Sequence, residues 1–153
     1  MSRSFDVIRC LSGKTIVTAE SLTGGGIGSS LTSVPGSSAV YKGGVISYTN
    51  EIKEKILGVS PDSLEKYGAV SMEVAGKMVS GVRKLMDADV AVSVTGLAGP
   101  DGDDFGHPVG TVYIGYEDHQ RFLVRQFKFD GDRNSVRAQT IDAALALILQ
   151  YNE

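Results

Sequence analysis

Apolar and polar positions divide the chain into short strands and amphipathic helices. Residues 14–20 (KTIVTAE) form a β-rich run with a small-residue exit, which predicts a strand. The segment after Gly24 predicts a helix through about Leu31, ending before Pro35. VISYT at 45–49 predicts a second strand, after which Asn50 caps a helix over EIKEKIL that Gly58 stops. Ser60 and Pro61 open another helix, the serine as cap and the proline at the first helical position, ending near Tyr67 and Gly68. Ser71 caps the most regular helix, about 72–87, where Val74, Met78, Val82, Leu85 and Met86 share a core-facing stripe. DVAVSVTG (89–96) is almost continuously apolar, the pattern of a central strand covered on both faces. GTVYIGYE (110–117) and RFLVRQFKF (121–129) flank Asp118, His119 and Gln120 and predict a hairpin, its second strand alternating with one solvated face. Asp132 caps a last helix from Arg133 to about Tyr151, with Val136, Thr140, Ile141, Ala144, Leu145, Ile148 and Leu149 turned inward. The sum is a three-layer α/β/α sandwich with a mixed β-sheet.

Length and composition narrow the setting. The 153 residues, 42% of them hydrophobic, suit one domain spanning 1–153 with a full core. A net charge of -3 argues against a general nucleic-acid binder, while leaving room for a local basic pocket for a small anion. The single cysteine, Cys10, excludes a disulfide framework or a cysteine-based zinc site and is expected reduced and half-buried in a short helix. There is no early apolar segment of signal-peptide type, and no run approaches the roughly 20 apolar residues of a membrane span. The expectation is a soluble cytoplasmic protein with no membrane partner. The 19 glycines cluster at 24–28, 43–44 and 96–110, marking tight turns or places where backbone approaches something closely.

Candidate chemistry gathers at the strand exits. TAESLTGGG (18–26) is a strand–turn–helix junction, where free N–H groups attract an anion or a developing oxyanion. It lacks the Gly-Lys-Ser/Thr of a P-loop, and Gly26-Ile27-Gly28 runs on to Leu31 rather than completing a dinucleotide fingerprint. A ligand role and a plain tight turn both remain open. Ser21 stands where a nucleophile would, but His107 and His119 lie in a proline-flanked loop and a hairpin turn, so a lysine is the alternative base. Lys53, in the first turn of its helix, is disfavoured as an ammonium there, and burial would act in the same direction. Tyr48 could relay a proton or orient it; the alternative is a solvated surface lysine. Thr95 and Gly96 could present a hydroxyl and a backbone donor to the same crevice. Asp101, Asp103 and Asp104 miss the EF-hand spacing and read as a solvated acidic loop. Arg133 and Arg137, four apart at the start of the last helix, form either a phosphate site or ion pairs with Asp130 and Asp132.

Four ordered blocks then carry a resemblance: AESLTGGGIGSSLTSVPGSSAVYKGGVISYTNEIKEKILGV, YGAVSMEVAGKM, SVTGLAGPDG and PVGTVYIGY. From about Thr15 to the last helix the chain resembles the C-terminal domain family of the CinA competence/damage-inducible proteins, in its stand-alone form. The short stretch before the first strand implies a truncated first helix. The resemblance implies a nicotinamide-nucleotide amidase, converting nicotinamide mononucleotide (NMN) and water to nicotinic acid mononucleotide and ammonia in pyridine-nucleotide salvage. It implies a serine nucleophile at Ser21, a lysine base at Lys53 assisted by Tyr48, and no metal or cofactor. Thr95, Gly96 and Arg133 fall on motif positions, with Arg137 close behind. Backbone donors around Thr23, Gly24 and Gly25 would hold the oxyanion, Arg133 and Arg137 the phosphate, and Thr95 and Gly96 the ribose or amide end. A non-catalytic nucleotide-binding regulatory module and an amidase for another small amide are the alternatives. Edge strands of such sheets pair, so a homo-oligomer, a dimer or larger, is expected.

Overall fold

The computed structural model describes residues 3–153. Five strands form one sheet: β1 (Ile16–Glu20), β2 (Tyr41–Ile46), β3 (Val90–Gly96), β4 (Thr111–Glu117) and β5 (Phe122–Lys128). Their order is β2-β1-β3-β4-β5. The first three strands in that order run parallel, and β4 and β5 are antiparallel to their neighbours, so the sheet is mixed. Helices α1 (Arg3–Cys10), α2 (Gly26–Thr32) and α6 (Arg133–Gln150) cover one face; α3 (Asn50–Leu57), α4 (Pro61–Tyr67) and α5 (Met72–Met86) cover the other. This is the expected three-layer sandwich.

The alternation of the central strands explains the two cores. Ile16 and the valines at 90, 92 and 94 point toward α1, α2 and α6, where they meet Val7, Leu31, Val136, Ala144 and Ile148. Val17, Ala19 and Ala91 point the other way, onto Val74, Met78 and Val82 of α5. A strand buried on both faces must be apolar throughout, and every residue from Val90 to Thr95 is buried. The serine and aspartate caps at 60, 71 and 132 each accept the expected backbone N–H three residues on.

The second strand departs from expectation. It occupies 41–46 rather than 45–49, and the pair Gly43 and Gly44, open between a tight turn and a close backbone approach, lies inside it. Gly44 pairs with Thr18 on β1, and a Cβ there would collide with the Thr18 Oγ1 and the Tyr41 hydroxyl. Glycine here permits close strand approach rather than a reversal. The chain beyond Ile46 instead extends toward α3, whose cap is Thr49 and not Asn50: the Thr49 Oγ1 accepts the Ile52 N–H at 3.4 Å. Leu85 also departs from the α5 stripe. It borders an open groove with Ile56, Leu57 and Gly58 and is 56% exposed. Ile141 and Leu149 of α6 are half-buried rather than fully inward.

Contact between α5 and α3 depends on Gly81, where a Cβ would run into the Leu57 carbonyl. We expect Gly81→Ala to lower the unfolding free energy by about 1–3 kcal/mol through overpacking, measured by urea denaturation. An unchanged midpoint would show that α3 moves aside without cost.

Candidate active site

Successive side chains of a strand point to opposite faces, and the end of β1 uses this. Glu20 turns toward α2, while Ser21, one residue on, turns toward α3. The Ser21 N–H donates to the Val94 carbonyl at 3.1 Å, which holds it in line with β3 just past the strand end. Its hydroxyl meets Lys53, which donates from Nζ to Ser21 Oγ at 3.0 Å. Lys53 also donates to the Ser47 carbonyl at 2.7 Å and more weakly to the Tyr48 carbonyl at 3.4 Å.

Lys53 is only 1% exposed, so the surface-lysine alternative falls away. Burial pushes its pKa down to about 8. Deprotonation would leave two N–H bonds for the two carbonyls and a lone pair directed at the Ser21 hydroxyl. The arrangement is therefore that of a base set on a serine, reached from a helix that begins one turn earlier.

The turn after Ser21 is held from within. Gly24 and Gly25 have φ of 58° and 100°, in the left-handed region that favours glycine. The Gly24 N–H donates to the Ser21 carbonyl at 3.1 Å, and the Gly26 N–H to Thr23 at 3.0 Å. Among the described residues, the N–H groups of Leu22, Thr23 and Gly25 make no hydrogen bond to protein. Glu20, 2% exposed, accepts from the Thr23 hydroxyl and from the Ile27 and Gly28 N–H groups. The anion-attracting start of α2 is thus already filled by the protein's own carboxylate. Thr23 is buried and its side chain faces Glu20.

Ser21, Tyr48, Lys53, Thr95, Gly96 and Arg133 line one cleft of about 560 Å³. Its far wall is the loop at 97–105. Arg133 donates to the Gly99 carbonyl at 2.6 Å and to the Tyr48 hydroxyl at 2.9 Å. The Tyr48 hydroxyl therefore faces Arg133, and it is the Tyr48 carbonyl that touches Lys53. Arg137 does not line the cleft. It lies behind the turn, donating to the carbonyls of Leu22 at 2.9 Å and Thr23 at 3.3 Å. Neither arginine pairs with Asp130 or Asp132. The Thr95 hydroxyl donates to the Ala69 carbonyl at 2.7 Å and ties β3 to the loop before α5. Asp103 accepts the N–H groups of Phe105 and His107 and faces the His107 Nδ1 at 2.7 Å, so this acid organises the loop. No group of three or more His, Cys, Asp or Glu side chains among the described residues is arranged to hold a metal.

Sequence reasoning missed Ser47. It is fully buried, donates its N–H to the Glu20 carbonyl at 2.8 Å, and offers its own carbonyl to Lys53. No side-chain pattern marks such a residue, since its work is done by backbone.

Fold and cleft together define an α/β/α protein with a buried serine–lysine pair at the carboxyl end of its parallel strands. Residues 6–152 match the CinA C-terminal domain model, and the chain belongs to that family. It is 45% identical over 138 residues to a CinA-like protein of Thermotoga sp. (strain RQ2), a match covering 90% of this chain and 34% of that relative. It is 47% identical over 137 residues to a competence-damage inducible protein of Acetivibrio thermocellus, covering 90% of this chain and 33% of that one. The chain thus spans about a third of the length of these relatives. Among solved structures, a CinA superfamily protein of Klebsiella pneumoniae superposes with a TM-score of 0.94 at 32% identity, covering 97% of this chain and 94% of that one. One from Escherichia coli gives a TM-score of 0.94 at 36% identity, covering 97% and 87%. No helix among the described residues is long and apolar enough to cross a membrane.

The lowered pKa of Lys53 has a consequence for stability. Between about 8 and its ordinary 10.5 the unfolded chain binds the extra proton, so this contribution to stability rises with pH across that window. Wild type should gain roughly 3 kcal/mol over the window relative to Lys53→Met. Urea titrations of both proteins at several pH values would measure this. Half-buried Tyr41 and buried Tyr116, whose pKa values desolvation raises, act in the opposite direction in both proteins and cancel in the difference. Parallel pH curves would mean that Lys53 titrates normally.

Proposed function

We propose that the chain is a nicotinamide-nucleotide amidase, hydrolysing the carboxamide of NMN to nicotinic acid mononucleotide and ammonia through Ser21 and Lys53. The observation that carries this reading is the buried Lys53 amine 3.0 Å from the Ser21 hydroxyl at the edge of an open cleft. A binding module has no need of a desolvated amine aimed at a hydroxyl; a nucleophile does.

The neutral Lys53 amine takes the Ser21 proton as Oγ attacks the carboxamide carbon. The oxyanion that forms would be met by the unspent N–H groups of Leu22 and Thr23 or Gly25, since Gly24 is committed to the Ser21 carbonyl. Losing one such donor typically costs about 3 kcal/mol in the barrier. The carbon–nitrogen bond breaks as Lys53 returns the proton to the leaving ammonia. Water then adds to the acyl-serine, giving its proton to Lys53, and Ser21 leaves with that proton. Arg133 is the better phosphate ligand of the two arginines, because it stands at the cleft rim while Arg137 is occupied by the turn. Tyr48 then supports Arg133 through its hydroxyl and Lys53 through its carbonyl.

Ammonia release from NMN, NAD and nicotinamide tests this. Wild type should act on NMN, Ser21→Ala should be silent, and Lys53→Ala should fall by about 10²–10⁴. Below pH 8 the wild-type kcat/KM should climb about tenfold per unit and level off above the Lys53 pKa of about 8. Undiminished turnover by Ser21→Ala would end the proposal. NMN-dependent thermal stabilisation without ammonia would select the regulatory module, and activity on a different amide alone would move the substrate.

A further inference from the structure

We infer that Glu20 is a positioning residue for the nucleophile, fixing the Ser21 turn through a carboxylate that is fully hydrogen-bonded on the opposite side of the sheet from the reaction. The inference rests on Ser21 being the nucleophile.

Four donors converge on this one side chain. Oε1 accepts from the Thr23 hydroxyl at 2.6 Å and the Ile27 N–H at 2.8 Å. Oε2 accepts from the Gly28 N–H at 3.0 Å and the Thr18 hydroxyl at 3.3 Å. Thr18 in turn meets the Tyr41 hydroxyl at 2.8 Å, extending the network to β2. A buried carboxylate with four donors is acceptor-only and fully satisfied, and no neutral side chain of this size reproduces that. Glutamine offers one acceptor oxygen and an amide that would face donors.

The geometry places this anchor at both ends of the functional turn. Glu20 precedes Ser21 directly, so its backbone and the Ser21 backbone move together. Its carboxylate simultaneously grips Thr23 and the start of α2, so residues 21–26 form a loop closed on a single side chain. From the same face of the sheet, Arg137 of α6 holds the Leu22 and Thr23 carbonyls. Glu20 never reaches the cleft, yet it decides where the Ser21 Oγ and the neighbouring N–H groups sit. A displacement of about 1 Å at a reacting group can cost on the order of 10²-fold in rate.

Two readouts separate this from a merely structural role. One is the rate of Ser21 labelling by a fluorophosphonate probe, with Ser21→Ala as the blank; the other is steady-state ammonia release from NMN. In Glu20→Gln and in the milder Thr23→Val we expect labelling and kcat to fall together by about tenfold or more, with KM within about twofold. Glu20→Asp, one methylene shorter, should retain the charge and recover part of the rate. If Glu20→Gln does not fold, Thr23→Val decides alone. Wild-type labelling in folded Glu20→Gln or Thr23→Val, with only thermal stability reduced, overturns the inference. A wild type that labels at Ser21 but releases no ammonia defeats the NMN reading and leaves this one standing on the labelling rates. A wild type that does not label defeats both.

Discussion

An amine in a protein interior is costly unless every one of its hydrogen-bonding positions is met. Lys53 meets that condition with two carbonyls and one hydroxyl, and the arrangement of the site follows from it. The carbonyl of Ser47 is available only because the chain leaves β2 still paired to Glu20. The hydroxyl is available only because β1 ends one residue earlier. Thr49 starts α3 at the point that brings position 53 back over this gap. Strand end, extended linker and helix cap are therefore one device for holding a desolvated amine.

The two faces of the sheet share the work. On the side of α3 and α5 lie the amine, the hydroxyl and the cleft. On the side of α2 and α6 lie the buried carboxylate of Glu20 and the guanidinium of Arg137, which set the shape of the turn without entering the cleft. Arg133, one helical turn before Arg137, reaches around to the cleft rim and joins Tyr48 to the loop carrying Gly99. The same helix thus addresses both the support and the opening of the site.

Much of this was legible in the sequence where side chains declare their role locally. Ser60, Ser71 and Asp132 announce helix starts, and the apolar run at 89–96 announces a central strand. The family motifs bring six of the residues they imply into one cleft. What stayed hidden depends on long-range geometry. Nothing local says that Gly43 and Gly44 sit within a strand, because the constraint comes from Thr18 and Tyr41 across the sheet. The spacing of Arg133 and Arg137 places them on one helix face but cannot say that one meets the rim and the other the carbonyls of Leu22 and Thr23. Ser47 acts through its peptide group, which carries no compositional signature, and Glu20 needed the helix start it caps to be in place.

The link between Arg137 and the turn after Ser21 joins residues 115 and 114 positions apart. Closing a loop of such length costs more chain entropy than a local contact does. During synthesis the early strands and α2 emerge long before α6 exists to hold the Leu22 and Thr23 carbonyls. The shape of the turn after Ser21 is thereby tied to completion of the domain: a chain cut short before α6 carries Ser21 and Lys53 but not the guanidinium that holds the Leu22 and Thr23 carbonyls.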